Sequence, residues 1–112
     1  MLRIGTNGVI CLTRGDSARF AVDIINDITK EAYTVEPTDT LKFTVKKAIT
    51  DTTPKLQIIT VGENEFYLRP ADTAGLDFGK YIYDVEVVTA GGDVYTVIEH
   101  TVFELTKEVH SA

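Results

Sequence analysis

The tightest constraint on this chain is the period of two in its apolar residues. In Thr40–Lys47, Leu41, Phe43 and Val45 fall on one side of an extended chain, and Thr40, Lys42, Thr44 and Lys46 fall on the other. A helix would spread those three apolar side chains around its axis, so the segment reads as a strand with one buried face. The same period sets Phe20, Val22 and Ile24 against Ala21 and Asp23. It also sets Tyr81, Tyr83, Val85 and Val87 against Ile82, Asp84, Glu86 and Val88. Further strands are expected over Gly8–Thr13, Lys55–Val61, Glu65–Arg69 and Asp93–Leu105, which makes seven. In the last of these the alternation changes phase near Glu99-His100, which predicts a bulge or bend.

Turn chemistry separates these runs. Gly15-Asp16, Thr53-Pro54, Gly62-Glu63-Asn64 and Ala90-Gly91-Gly92-Asp93 are all places where the chain can reverse cheaply. The longest gap, Asn26 to Asp39, has room for a short extra strand at Tyr33–Val35, and only Pro70–Leu76 reads as helical, for a turn or two. Many short strands with regular turns predict an all-β fold, a single antiparallel β-sandwich over residues 1–112. A chain of 112 residues is long enough to bury one sizeable core.

One stretch carries a resemblance. Ala71-Asp72-Thr73-Ala74 followed by Tyr81-Ile82-Tyr83 resembles the corner of immunoglobulin-type sandwiches, with Tyr83 where those domains carry a cysteine. The resemblance implies an immunoglobulin-like sandwich in which Tyr81 is the corner tyrosine, bonded to nearby backbone, on the sixth strand. It implies that Asp72 caps backbone amides in the turn. A broader likeness runs along most of the chain, through Gly15-Asp16, Lys42–Lys47 and Gly79-Lys80-Tyr81. These segments are similar to small β-sandwich proteins of phages and prophages of Gram-positive bacteria, and more loosely to the N-terminal domain of phage baseplate upper proteins. That likeness implies a structural or assembly role in a virion tail or baseplate, by protein–protein contact, without catalysis or cofactor.

Charge narrows the partners. The formal net charge is −6 with only 11 Lys and Arg, so phosphate-rich nucleic acid and anionic membrane surfaces are poor partners. The expected partners are proteins, either copies of this chain or other particle components. No apolar run is long enough to cross a bilayer as a helix, and the N-terminus lacks the pattern of a secretory signal, so synthesis in the cytoplasm is expected. Cys11, the sole cysteine, lies in an apolar strand and reads as a small packing residue.

Several short motifs suggest chemistry. Arg14-Gly15-Asp16 matches a cell-adhesion tripeptide, but it sits where the first hairpin reverses and reads as a turn. Gly15-Asp16-Ser17 matches an esterase nucleophile block; the base histidine of that class follows an aspartate by three positions, and Lys107 and Val97 stand there before His110 and His100. Two histidines ten residues apart are too few for a zinc site, and Asp72, Asp77 and Asp93 lie in separate turns without calcium-loop spacing. Asp84 and Glu86 share a strand face and suit cross-strand pairing with Lys42 and Lys46. What remains is a set of apolar residues on outward faces, Ile25, Ile59, Val61, Tyr67, Ile82 and Val88. These are the candidate interface, and they suit a homo-oligomer or docking onto a larger assembly. The alternative is a carbohydrate-binding or adhesion module, which would present exposed tyrosines such as Tyr33 with Tyr67 or Tyr95 as a platform for sugar rings.

Overall fold

The alternating segments form two sheets. In the computed structural model, which describes residues 2–4, 8–25 and 29–107, the strands are β1 (Leu2–Ile4), β2 (Ile10–Thr13), β3 (Ala18–Ala21), β4 (Thr40–Lys46), β5 (Leu56–Val61), β6 (Glu65–Leu68), β7 (Gly79–Val88) and β8 (Val94–Thr106). One short helix, α1 (Pro70–Ala74), stands between β6 and β7. The larger sheet has six strands in the order β1-β2-β8-β7-β4-β5, and the smaller pairs β3 with β6. The protein is all-β.

Period two governs burial as it should when one face of a sheet is dry. Leu41, Phe43 and Val45 on β4 and Tyr81, Tyr83, Val85 and Val87 on β7 are all buried, while the residues between them are only partly covered. From the smaller sheet Phe20 and Phe66 close over this face. Phe43 is the hub: its ring lies 5.2 Å from Phe20, 5.7 Å from Phe66, 5.2 Å from Tyr83 and 5.9 Å from Phe103. Such tilted and edge-on aromatic contacts add to the burial of the rings themselves.

The structure differs from the sequence reading in four places. β1 adds an eighth strand, paired antiparallel to β2 with Leu2 opposite Leu12. β2 runs parallel to β8, with Ile10 opposite Phe103, so the larger sheet is mixed rather than antiparallel. Alternation fixes which side chains point inward but not the direction of a neighbour brought from the far end of the chain. Tyr33–Val35 is not a strand; the gap holds only an isolated bridge between Ile25 and Ala32. β3 ends at Ala21 rather than Ile25, although Val22 continues the contact by donating its N–H to Asn64 O (2.8 Å) and accepting from Asn64 Nδ2 (3.1 Å).

The phase change in β8 is a bulge. Tyr83 faces Thr101, Val85 faces Ile98, and Glu86 faces Thr96, so β8 carries extra residues on either side of Ile98. Beyond it the Val94–Thr96 end of β8 is exposed, whereas Phe103 and Leu105 are buried.

Candidate functional site

The Arg-Gly-Asp turn is held from several sides. Gly15 has a φ of 86°, a conformation that L side chains rarely take, and Asp16 N–H donates to Thr13 O (3.1 Å) to close the reversal. Gly15 N–H donates to Thr73 Oγ1 (2.9 Å), a side chain fully buried in α1. Arg14 Nη1 donates to Leu76 O (3.1 Å), and its guanidinium lies 4.0 Å from the centre of the Phe78 ring. The arginine an adhesion receptor would need is thus bound to the loop between α1 and β7.

That loop lies between the two residues expected to hold a corner, Asp72 and Tyr81. Asp72 Oδ2 accepts the N–H of Arg69 (2.7 Å) at the start of α1, with Pro70 as the first helical residue. Tyr81 Oη donates to Asp77 O (2.8 Å), four residues upstream. Lys47 Nζ stands 4.5 Å from the Tyr81 ring centre and donates to Lys80 O (2.9 Å). Tyr83 Oη donates to Gly8 O, tying the chain start to β7. Burial pushes the Tyr81 and Tyr83 phenols above their ordinary value, since phenolate would lose its hydration.

At the opposite end of the sheet a second set of polar contacts fastens the β3–β4 connection. Asp39 is buried, and its Oδ2 accepts from Tyr33 Oη and from Glu36 N–H (2.9 Å). Asp39 O accepts from Gly62 N–H (2.8 Å). An open groove of about 770 Å³ runs beside these contacts, lined by Val22, Ile24, Tyr33, Val35, Gly62 and Asn64 among others. The bond to the Asp39 carboxylate raises the Tyr33 phenol from 10 to about 12, helped by burial and by the carboxylate charge. Above pH 10 the unfolded chain gives up the Tyr33 proton while the fold retains it. Stability is therefore fully present below pH 10 and falls as pH rises towards 12. Denaturant titrations across that window should give a downward slope that is shallower in Tyr33→Phe; equal slopes in the two proteins would show that the Tyr33–Asp39 bond does not matter.

The six candidate interface residues do not form one patch. Strand register places Val61, Thr40, Val88 and Val94 side by side across the outer face of β5, β4, β7 and β8. The next row is Ile59, Lys42, Glu86 and Thr96, and beyond it Gln57, Thr44 and Asp84. Val61 is 62% exposed, Val94 56% and Ile59 53%, so this end of the outer face carries a cluster of uncovered apolar side chains. Ile82 lies further along the face, next to Val102 and beyond the Asp84 row. Ile25 is exposed in the β3–β4 connection. Tyr67 is on the other sheet, opposite Arg19, with the Arg19 guanidinium 4.5 Å and the Arg69 guanidinium 4.8 Å from its ring centre.

The chain matches no protein-family model and no curated protein. Among the described residues no group of three or more His, Cys, Asp or Glu is gathered to hold a metal ion, and no helix is long and apolar enough to cross a membrane. His100 is exposed on β8, and His110 lies outside the described residues. Asp84 and Glu86 lie opposite Thr44 and Lys42 on the outer sheet face, and Cys11 Sγ donates to Glu104 Oε1 at 3.8 Å. Alternation pointed to Ile59 and Val61; Val94 was missed because it opens the last strand straight after a glycine turn. Asp39 and Thr73 were missed because nothing local distinguishes a buried polar residue from an exposed one.

Proposed function

We propose that this protein is an immunoglobulin-like sandwich that works by protein contact, as a structural or assembly component of a phage or prophage particle. The immunoglobulin-type reading is supported by the Tyr81 bond to Asp77 O at the corner and by a six-strand sheet covered by the β3–β6 pair. The particle setting rests on the likeness in Gly15-Asp16, Lys42–Lys47 and Gly79-Lys80-Tyr81.

The observation that carries the contact role is the set of uncovered apolar side chains at one end of the outer face, Ile59, Val61 and Val94, with the half-buried Val88 between them, because apolar surface of this kind suits a partner. The adhesion and sugar-platform readings have less support: Arg14 is bound by Leu76 O and Phe78, and Tyr67 lies under two guanidiniums. The test is co-purification. Particles released by the bacterium that carries the gene are banded on a density gradient, and the chain is quantified in each fraction against the other particle proteins. A constant ratio of chain to particle through the band is expected. Confinement of the chain to fractions without particles overturns the structural role.

A further inference from the structure

Four strands border the two sheets among the described residues: β1 and β5 in the larger, β3 and β6 in the smaller. Exposed sheet edges invite further pairing, and proteins usually blunt them with charge, proline, bulges or short length. β1 is three residues long with Arg3, β3 is four with Arg19, and β6 is four with Glu65. β5 departs from this pattern. It runs Leu56-Gln57-Ile58-Ile59-Thr60-Val61, six residues without a charge or a proline.

The backbone of β5 is set for a partner. The bond from Gly62 N–H to Asp39 O fixes the phase of the β4–β5 ladder, in which Leu41 faces Thr60 and Phe43 faces Ile58. In an antiparallel ladder the bonded residues alternate. Leu56, Ile58 and Thr60 therefore turn their N–H and C=O groups toward β4, and Gln57, Ile59 and Val61 turn theirs away from it. No described strand pairs with that outward side.

We propose that the outward side of β5 pairs antiparallel with β5 of a second copy, about a two-fold axis at Ile59. One antiparallel register uses all three outward-facing residues of both copies: Ile59 opposite Ile59, and Gln57 opposite Val61. Each such pair exchanges both backbone bonds. The ladder ends at Leu56 and Val61, because Lys55 N–H bonds back to Val45 O (2.8 Å) and the chain turns at Gly62 (φ 74°). A copy of this chain is thus complementary to the edge in backbone and in apolar side chains. The two larger sheets become one continuous sheet, and the Ile59 and Val61 side chains of both copies meet on its outer face. This deepens the contact role proposed above and rests on it.

The test is solution mass by light scattering on the intact protein over a wide concentration range, with amide hydrogen exchange on the same samples. A dimer is expected, with the Gln57, Ile59 and Val61 amides protected only as it forms. I59K brings like charges together at the axis and should weaken the dimer about tenfold or more. V94K, on β8 at the far side of the same outer face, should leave the dimer intact, which a partner surface centred elsewhere on that face would not do. These side chains are exposed, so the fold should tolerate all of the changes. A wild-type chain that stays monomeric, or a dimer indifferent to I59K, overturns the proposal. A monomer that still co-purifies with particles refutes the pairing alone. A β5-paired dimer absent from particles supports the pairing and refutes the particle role.

Discussion

Phe43→Ala is expected to lower the unfolding free energy by about 3–5 kcal/mol. The ring is fully buried and touches four other rings, two of them from the smaller sheet, one from the adjacent β7 and one from β8 beyond it. Its loss removes the transfer energy of the ring and leaves a void that those contacts cannot all collapse to fill. Domains of this size are stable by only about 5–15 kcal/mol, so the variant should sit near the edge of folding. Urea titration followed by circular dichroism would read this as a lower midpoint with little change in slope. Phe43→Leu should cost less, because it leaves a smaller void. A loss below about 1 kcal/mol for the alanine variant would mean that the two sheets do not depend on this hub.

The position of Phe43 was legible in the sequence because burial on a half-covered strand repeats every second residue. The same logic placed Phe20, Val22, Val45, Tyr81 and Tyr83 in the core, where all of them are buried. The bulge near Glu99 was legible for a related reason, since an inserted residue reverses the phase of alternation. β1 was not, because three residues carry too little periodicity to distinguish a strand from a tail. Nor was the parallel pairing of β2 with β8, which joins the two ends of the chain and leaves no mark in either segment.

The outer surface was legible only in part. Ile59 and Val61 were identified as outward-facing, and they are exposed. Tyr67 was grouped with them because its own strand places it outward, yet the pairing of β3 with β6 brings Arg19 opposite it and lays the cation on the ring. The grouping changes once strand partners are known. Polar residues in the interior show a related limit: Thr73 acquires its role from Gly15, far along the chain, while Asp39 is fastened within its own connection by Tyr33 and Glu36, a local turn that its residue types alone do not mark as buried.

Thr73 makes that long-range dependence testable. Thr73→Val keeps the shape of the side chain and removes the oxygen that accepts Gly15 N–H, so a part-buried donor loses its partner. The expected cost is about 1–3 kcal/mol, set by the unmet hydrogen bond rather than by packing. Thr73→Ser keeps the acceptor and removes a methyl, at about 1 kcal/mol. Stability alone separates these two poorly, so the decisive readouts are local. The Gly15 amide should exchange faster in Thr73→Val than in Thr73→Ser, and trypsin should cut after Arg14 more readily, because the turn then loses its tie to α1 and keeps Asp16 N–H on Thr13 O, Arg14 N–H on Thr106 O and the Arg14 side-chain contacts. If instead both variants protect Gly15 as well as the wild type does, those remaining contacts hold the turn by themselves. The α1 helix would then be a neighbour of the Arg-Gly-Asp turn rather than its anchor.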